Sequence, residues 1–196
     1  MNGSLMIYQS LLDHIRRYVD LEPSEIEVLC SFLSHRHVAK KTFLLEPGKV
    51  CAANYFISSG CLRLFFITTS EQEQITHFGL ENWWIADYGS LTSQRPSQYY
   101  IQAVEDTEII ELKASVQDEL LAKVPKLERY FRLVLLRAYT ASQRRIEFMN
   151  NLSGEDRYNQ FTAMFPDFAQ RVPLYMLASY LGFTPQFLSK IRAKRN

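Results

Sequence analysis

The hydrophobic period of this chain changes twice, and that limits the folds open to it. Up to about residue 33 the apolar residues recur at helical steps of three and four: Leu11, Leu12, Ile15, Tyr18 and Val19, then Ile26, Leu29, Phe32 and Leu33. Ser24, with Glu27 three positions on, reads as the cap of the second helix. From about residue 38 short apolar runs take over, broken by turn residues. They are Thr42–Leu45, Tyr55–Ile57, Cys61–Ile67, a run from Ile75, Tyr99–Val104 and Glu108–Leu112. Leu62, Leu64 and Phe66 alternate with Arg63, Phe65 and Ile67, so that strand is covered on much of both faces. Glu105-Asp106-Thr107 reads as a tight hairpin turn between the last two strands. Six or more short strands at this spacing predict an antiparallel roll or barrel. At Ala114 the helical period returns. The spacing predicts a short helix over Ser115–Leu121, a long one over Lys126–Leu152 and another over Glu155–Phe165. The fold class is α+β: an N-terminal double-stranded β-roll with flanking helices (1–125), a long helix (126–152) and a C-terminal helical domain (153–196).

Composition removes several function classes. With 196 residues, 47% apolar and 22% charged, the chain is neither disordered nor collagen-like. A chain this long needs no disulfide scaffold. Cys30, Cys51 and Cys61 are an odd number at no metal-ligand spacing, which fits a reducing cytoplasm. Asp13, Arg16 and Arg17 come too early for a signal-peptide core, and no apolar run approaches the ~20 residues of a membrane helix. The expectation is a cytoplasmic protein without membrane contact.

Net charge is +1, but it is unevenly spread. Residues 1–114 carry 9 basic and 14 acidic side chains. Residues 171–196 carry five basic ones (Arg171, Lys190, Arg192, Lys194 and Arg195) and no acid. An acidic body with a basic end is the asymmetry of a chain that meets a polyanion at that end; a solvated basic tail is the plainer reading.

That end also has the pattern of two crossed helices. Pro173 suits a first helical turn, and Met176, Leu177 and Leu181 form a buried face. Ala178 is small where a second helix crosses, and Gly182 stands where a left-handed residue is cheapest. Thr184 then caps a helix that Pro185 begins, with Phe187, Leu188 and Ile191 as its apolar stripe. This is a helix-turn-helix layout. Its outer face assigns DNA contacts to Thr184, Pro185, Gln186, Ser189, Lys190, Arg192 and Lys194, with Pro185 starting the helix rather than reading a base. Lys and Arg neutralise phosphates, while Thr, Ser and Gln bond phosphates or base edges.

The long helix is apolar on two sides. Leu127, Phe131, Val134, Ala138 and Ala141 form one stripe, and Leu135, Tyr139, Ile146 and Met149 a second. One side packs on the roll. The other predicts a homodimer, paired through the first stripe at the small Ala138 and Ala141.

Taken together, EPGK at residue 46, YFISSGCLRLFF at 55, the long helix and LASYLGFTPQFLSKIR at 177 resemble the Crp–Fnr transcription regulators, above all the branch found in Bacteroidetes-type bacteria. The resemblance runs from about residue 10 to 194. It implies a cyclic-nucleotide-binding-like sensor domain, a dimerisation helix and a DNA-binding domain acting as a homodimer on a palindromic operator in double-stranded DNA. It also implies RNA polymerase as a partner and a small-molecule effector of unknown identity. An iron–sulfur cluster would need a cysteine cluster where only Cys30 stands, and haem an axial ligand such as the single strand histidine His77, so no cofactor and no metal are expected. The members that bind cyclic AMP use Gly-Glu and then Arg-Ser/Thr-Ala. Here the Arg position reads Ser97, the small Ala reads Tyr99, and the Gly-Glu pair is missing from Trp83–Tyr88. The resemblance therefore implies a degenerate pocket that does not take cyclic AMP. Trp83, Trp84, Asp87, Tyr88, Tyr99 and Tyr100 are the residues that would line an effector pocket or fill it. In the recognition helix the usual Arg, Glu and Arg read Pro185, Gln186 and Lys190. The segment Phe165–Val172 is too short for a full β-hairpin wing.

An enzyme is the weaker alternative. His35-Arg36-His37 has the spacing of two metal ligands on one strand face, but it precedes the roll and no suitably placed carboxylate follows. No nucleophile elbow, phosphate loop or zinc-protease motif is present, and no residue is assigned a catalytic role. The other alternative is a scaffold or small-molecule-sensing module that does not bind DNA.

Overall fold

The computed structural model describes residues 6–193, with Arg192 in its backbone only. Lys194, one of the expected DNA contacts, lies outside the described residues. The chain divides into two compact units: Met1–Phe65 with His77–Leu135, and Phe66–Thr76 with Leu136–Asn196.

The first unit opens with α1 (Gln9–Arg16) and α2 (Pro23–Ser31). The second helix is capped at Glu22, two residues before the expected Ser24 cap. Proline lacks the N–H that a first turn leaves unpaired, so Pro23 starts it, and the Glu22 N–H donates to the Glu25 carboxylate at 2.7 Å. Then come β1 (Leu33–Val38), β2 (Phe43–Leu45), β3 (Ala53–Ser59), β4 (Leu62–Ile67), β5 (Glu73–Gly79) and β6 (Trp84–Ile85). A short helix α3 (Tyr88–Ser93), strands β7 (Tyr100–Ala103) and β8 (Thr107–Lys113), and helix α4 (Ala114–Lys123) complete it up to the start of α5 (Lys126–Asn151). The strands form two four-stranded sheets in the orders β1-β8-β3-β6 and β2-β7-β4-β5, so the α+β fold with an antiparallel β-roll is present.

Two further features differ from what the sequence predicts. His35-Arg36-His37 lies inside the roll, on the edge strand β1, paired with β8 from Leu33↔Leu112 to Val38↔Thr107. Its apolar residues stand only at its ends, which is why alternation did not reveal it. Second, β7 and β8 are not a hairpin: β7 pairs with β2 and β4, and β8 with β1 and β3. The turn between them carries the chain from one sheet to the other, as does the turn between β3 and β4. The two corners touch. A Cβ on Gly60, at φ +101°, would stand 2.5 Å from the Thr107 hydroxyl oxygen.

Period two along β3 and β8 makes two cores. Tyr55, Ile57 and Ile109 point into the roll with Leu45, Leu62 and Ile101. Phe56 and Ile110, one residue along, pack under the helices with Leu11, Ile15, Leu120, Leu127 and Tyr130. Each such side chain contributes about 1.5–3 kcal/mol of transfer free energy. Under the helices the buried Tyr130 hydroxyl joins two aromatic partners: the Trp84 indole N–H donates to it, and His14 Nδ1 lies 2.8 Å away, as the indole nitrogen does. Burial pushes the Tyr130 phenol well above its ordinary pKa.

The second unit holds the rest of α5, then α6 (Gly154–Met164), α7 (Pro166–Arg171), α8 (Leu174–Leu181) and α9 (Pro185–Ala193). Ser153 caps α6 by accepting the Asp156 N–H at 3.2 Å. The stretch read as too short for a wing is α7. Phe161 centres the aromatic packing, with Phe165, Phe168 and Tyr180 rings 5.2, 5.9 and 5.8 Å away.

Candidate nucleic-acid interface

Helices α8 and α9 meet as the residue types require. Met176, Leu177, Ala178 and Leu181 on α8 are buried, as are Leu188 and Ile191 on α9. Gly182 ends α8 in the left-handed region (φ 76°), and the Phe183 N–H turns back to the Ala178 carbonyl at 2.8 Å. A Cβ on Gly182 would meet the Met149 methyl at 2.7 Å. Thr184 accepts the Phe187 N–H at 3.2 Å, so the hydroxyl cap and the proline start stand where the sequence puts them.

The outer face of α9 is polar. Thr184, Pro185, Gln186, Ser189 and Lys190 are all exposed there. The Ser189 hydroxyl donates to the Pro185 carbonyl at 3.0 Å, which leaves its oxygen lone pairs facing outward as acceptors. Phe187, expected in the apolar stripe, is 43% exposed and rests instead against Phe183, with ring centroids 5.3 Å apart. Its ring lies so close to Gly154 that a Cβ there would come within 2.7 Å.

The stripe assigned to dimerisation divides along α5. Leu127 is buried within the chain, and Phe131 packs half-buried with ring centroids 5.5 Å from Trp84. Val134 is half-buried, and Ala138 and Ala141 are exposed. The same stretch leaves Leu135, Leu136, Tyr139 and Ile146 exposed, the last two at 62% each.

The six residues named for an effector pocket are not gathered in one place. Tyr88 and Tyr99 pack against the roll core. Trp84 belongs to the cluster under the helices, Tyr100 stacks on Phe65 at 4.8 Å, and Trp83 is exposed. Asp87 caps α3: one carboxylate oxygen accepts the Ser90 N–H at 3.2 Å and the other accepts the Ser97 hydroxyl at 2.6 Å. Ser97 in turn accepts the Tyr99 N–H at 2.8 Å. The position expected to hold a phosphate-binding Arg thus holds a hydroxyl committed to a carboxylate.

A carboxylate does reach the two histidines of β1, which the sequence did not reveal. Glu108, opposite His37 in the ladder, lies 2.8 Å from His37 Nδ1 and 2.9 Å from His35 Nε2. Even so, among the described residues no three His, Cys, Asp or Glu side chains form a group that could hold a metal ion. Sequence reasoning also missed Arg145 and Ser179. Ser179 stands in the LASYLGF stretch without a role assigned to it and Arg145 stands in no motif, so only the tertiary structure gives them partners.

These features define the class. Residues 35–124, which include most of the roll, match the cyclic nucleotide-binding domain. Across most of the chain the likeness is to regulators. The transcriptional activator protein Anr of Pseudomonas protegens is 28% identical over 169 residues, 80% of this chain and 68% of that protein. The fumarate and nitrate reduction regulatory protein of Vibrio cholerae is 26% identical, over 87% of this chain and 72% of that one. Among solved structures, the c-di-GMP responsive global regulator CLP of Xanthomonas campestris shares the fold with a TM-score of 0.73 at 14% identity, covering 88% of this chain and 91% of that one. The sensor domain of the regulator DNR from Pseudomonas aeruginosa does so with a TM-score of 0.57 at 20% identity, over 78% and 99%. Over most of its length the chain is thus similar to transcriptional regulators, with a match to the cyclic nucleotide-binding domain across the roll. No helix among the described residues is long and apolar enough to cross a membrane.

Proposed function

We propose that this chain is a homodimeric, sequence-specific DNA-binding transcription regulator whose roll does not take cyclic AMP. The observation that carries the reading is the α8–Gly182–α9 unit, with a capped second helix whose polar, acid-free face is open to solvent. Thr184, Gln186, Ser189 and Lys190 supply the groups that bond phosphates and base edges, and Gln186 suits adenine. Arg192 and Lys194 extend the same set by sequence.

Further parts belong to the proposal. The domain division at residues 125 and 152, and kinship with the Bacteroidetes branch, rest on the sequence. The dimer forms along α5 through Val134, Ala138 and Ala141, with Leu135, Tyr139 and Ile146 beside them. Loss of cyclic AMP binding rests on Asp87. Its carboxylate occupies the N-terminus of α3 and engages Ser97, so an incoming phosphate meets a like charge where the cyclic-AMP-binding members hold an Arg. RNA polymerase and an unidentified effector remain partners by resemblance, and a cytoplasmic location follows from acting on DNA.

The test is a titration of duplex DNA at several salt concentrations. Wild-type binding weakens steeply with salt, by about 0.9 in log–log slope for each phosphate neutralised. Lys190→Ala loses affinity, and its slope is shallower by about one contact. Salt-independent or absent binding would favour the sensing-module alternative.

A further inference from the structure

The hairpin between β4 and β5 belongs to the second compact unit, although its strands continue into the roll. In its sheet β5 is an outer strand, so one side of its backbone has no strand to pair with. Helical side chains take that place. The Ser179 hydroxyl of α8 donates to the Glu73 carbonyl at 2.6 Å and accepts the Ile75 N–H at 2.9 Å. The Gln74 side-chain amide returns to the Ser179 carbonyl at 2.6 Å. From α5, Arg145 donates to the Thr76 carbonyl, to the Ile75 carbonyl at 3.3 Å and to the Tyr180 carbonyl at 2.8 Å. Its guanidinium lies 4.1 Å from the Tyr180 ring centroid, and its Nε is buried without a hydrogen-bond partner. One planar fork therefore ties three elements together through main-chain carbonyls, which a lysine could not do.

We propose that Arg145 and Ser179 are positioning residues for DNA binding: they lock the first helix of the helix-turn-helix to the edge of β5, so that the conformation of the β4–β5 hairpin sets the presentation of α9. The inference rests on the DNA-binding reading above. Helices α8 and α9 bury Leu177, Ala178, Leu181, Leu188 and Ile191 and are joined by a short turn, so a shift at Ser179 is passed to α9. Neither Arg145 nor Ser179 belongs to the exposed face of α9, so neither is counted among the DNA contacts.

The test uses the full chain with Ser179→Ala, Ser179→Thr and Arg145→Lys, and reads three things: thermal unfolding, amide hydrogen exchange, and DNA affinity against salt. In Ser179→Ala, exchange of the Ile75 amide rises about tenfold and the α8 amides follow. DNA affinity falls at least about fivefold with the salt slope unchanged, because no phosphate contact is lost. Ser179→Thr keeps the hydroxyl and restores both, while Arg145→Lys behaves like Ser179→Ala. Faster exchange at Ile75 with α8 and DNA affinity at wild-type values would overturn the proposal, as would a rise in affinity or a shallower slope in Arg145→Lys. If the wild type binds no DNA, the functional reading fails, and the exchange data still decide whether hairpin and α8 move together. Should Ser179→Ala lose its cooperative melt, Gln74→Ala removes a single bond of the same junction and carries the same expectations.

Discussion

Tyr130 shows how a single oxygen can organise an aromatic core. Its ring lies 5.7 Å from His14, 5.6 Å from Tyr18 and 5.0 Å from Phe131, and its hydroxyl accepts the Trp84 N–H. Replacing it with phenylalanine keeps the packing but leaves that indole N–H without its acceptor. The expected cost is about 1–3 kcal/mol, seen as a lower urea midpoint at unchanged slope. An unchanged midpoint would mean that water replaces the hydroxyl. The apolar partners of Tyr130 were legible as stripes in the sequence. Its polar partners were not, because His14 and Trp84 are distant in sequence and carry no spacing signal. Asp87 follows the same logic: the sequence placed it near a pocket, whereas its bonds to Ser90 and Ser97 depend on the register of α3 and the loop before β7.

At the scale of elements, helices were read more accurately than strands. The long helix expected over 126–152 spans Lys126–Asn151, and the final helices lie between the proline and glycine signals that announced them. Caps are local chemistry: Thr184 stands where the sequence put it, while the Ser24 cap gave way to Glu22 because Pro23 starts the helix. Pairing between strands is not local. β1 was missed because an edge strand exposes its middle, and the step between β7 and β8 was misread because a turn is chemically the same whether or not it changes sheet. Helix α5 changes character along its length. Its first turns carry the buried Leu127 and Tyr130, and its later turns expose Leu135, Leu136, Tyr139 and Ile146. An apolar face of that kind on a helix of 26 residues suits a partner helix. Ala138→Glu places a charge in the proposed close contact. The expected result is a shift from dimer to monomer in sedimentation at micromolar concentration, with helix content retained. A wild-type chain that sediments as a monomer would remove α5 as an interface.

For the whole molecule, the roll and the helix pair have different prospects of binding. Leu45, Ile57, Leu62, Ile101 and Ile109 pack together in the core of the roll, with Tyr88 and Tyr99 against them. Cyclic AMP at about 1 mM is expected to leave the melting temperature unchanged, whereas a ligand at 100 times its dissociation constant adds about 2.7 kcal/mol. A clear upward shift would show that Asp87 gives way to a phosphate. The helix pair keeps its polar face open, and the basic end of the chain lies on the same segment. The measurement that bears most directly on this account is a genome-wide selection of bound DNA fragments at two salt concentrations, with Lys190→Ala beside the wild type. The account predicts one enriched palindromic sequence, with half-sites about one helical turn apart, that is lost or relaxed in the variant. Equal recovery of all sequences by both proteins would contradict it.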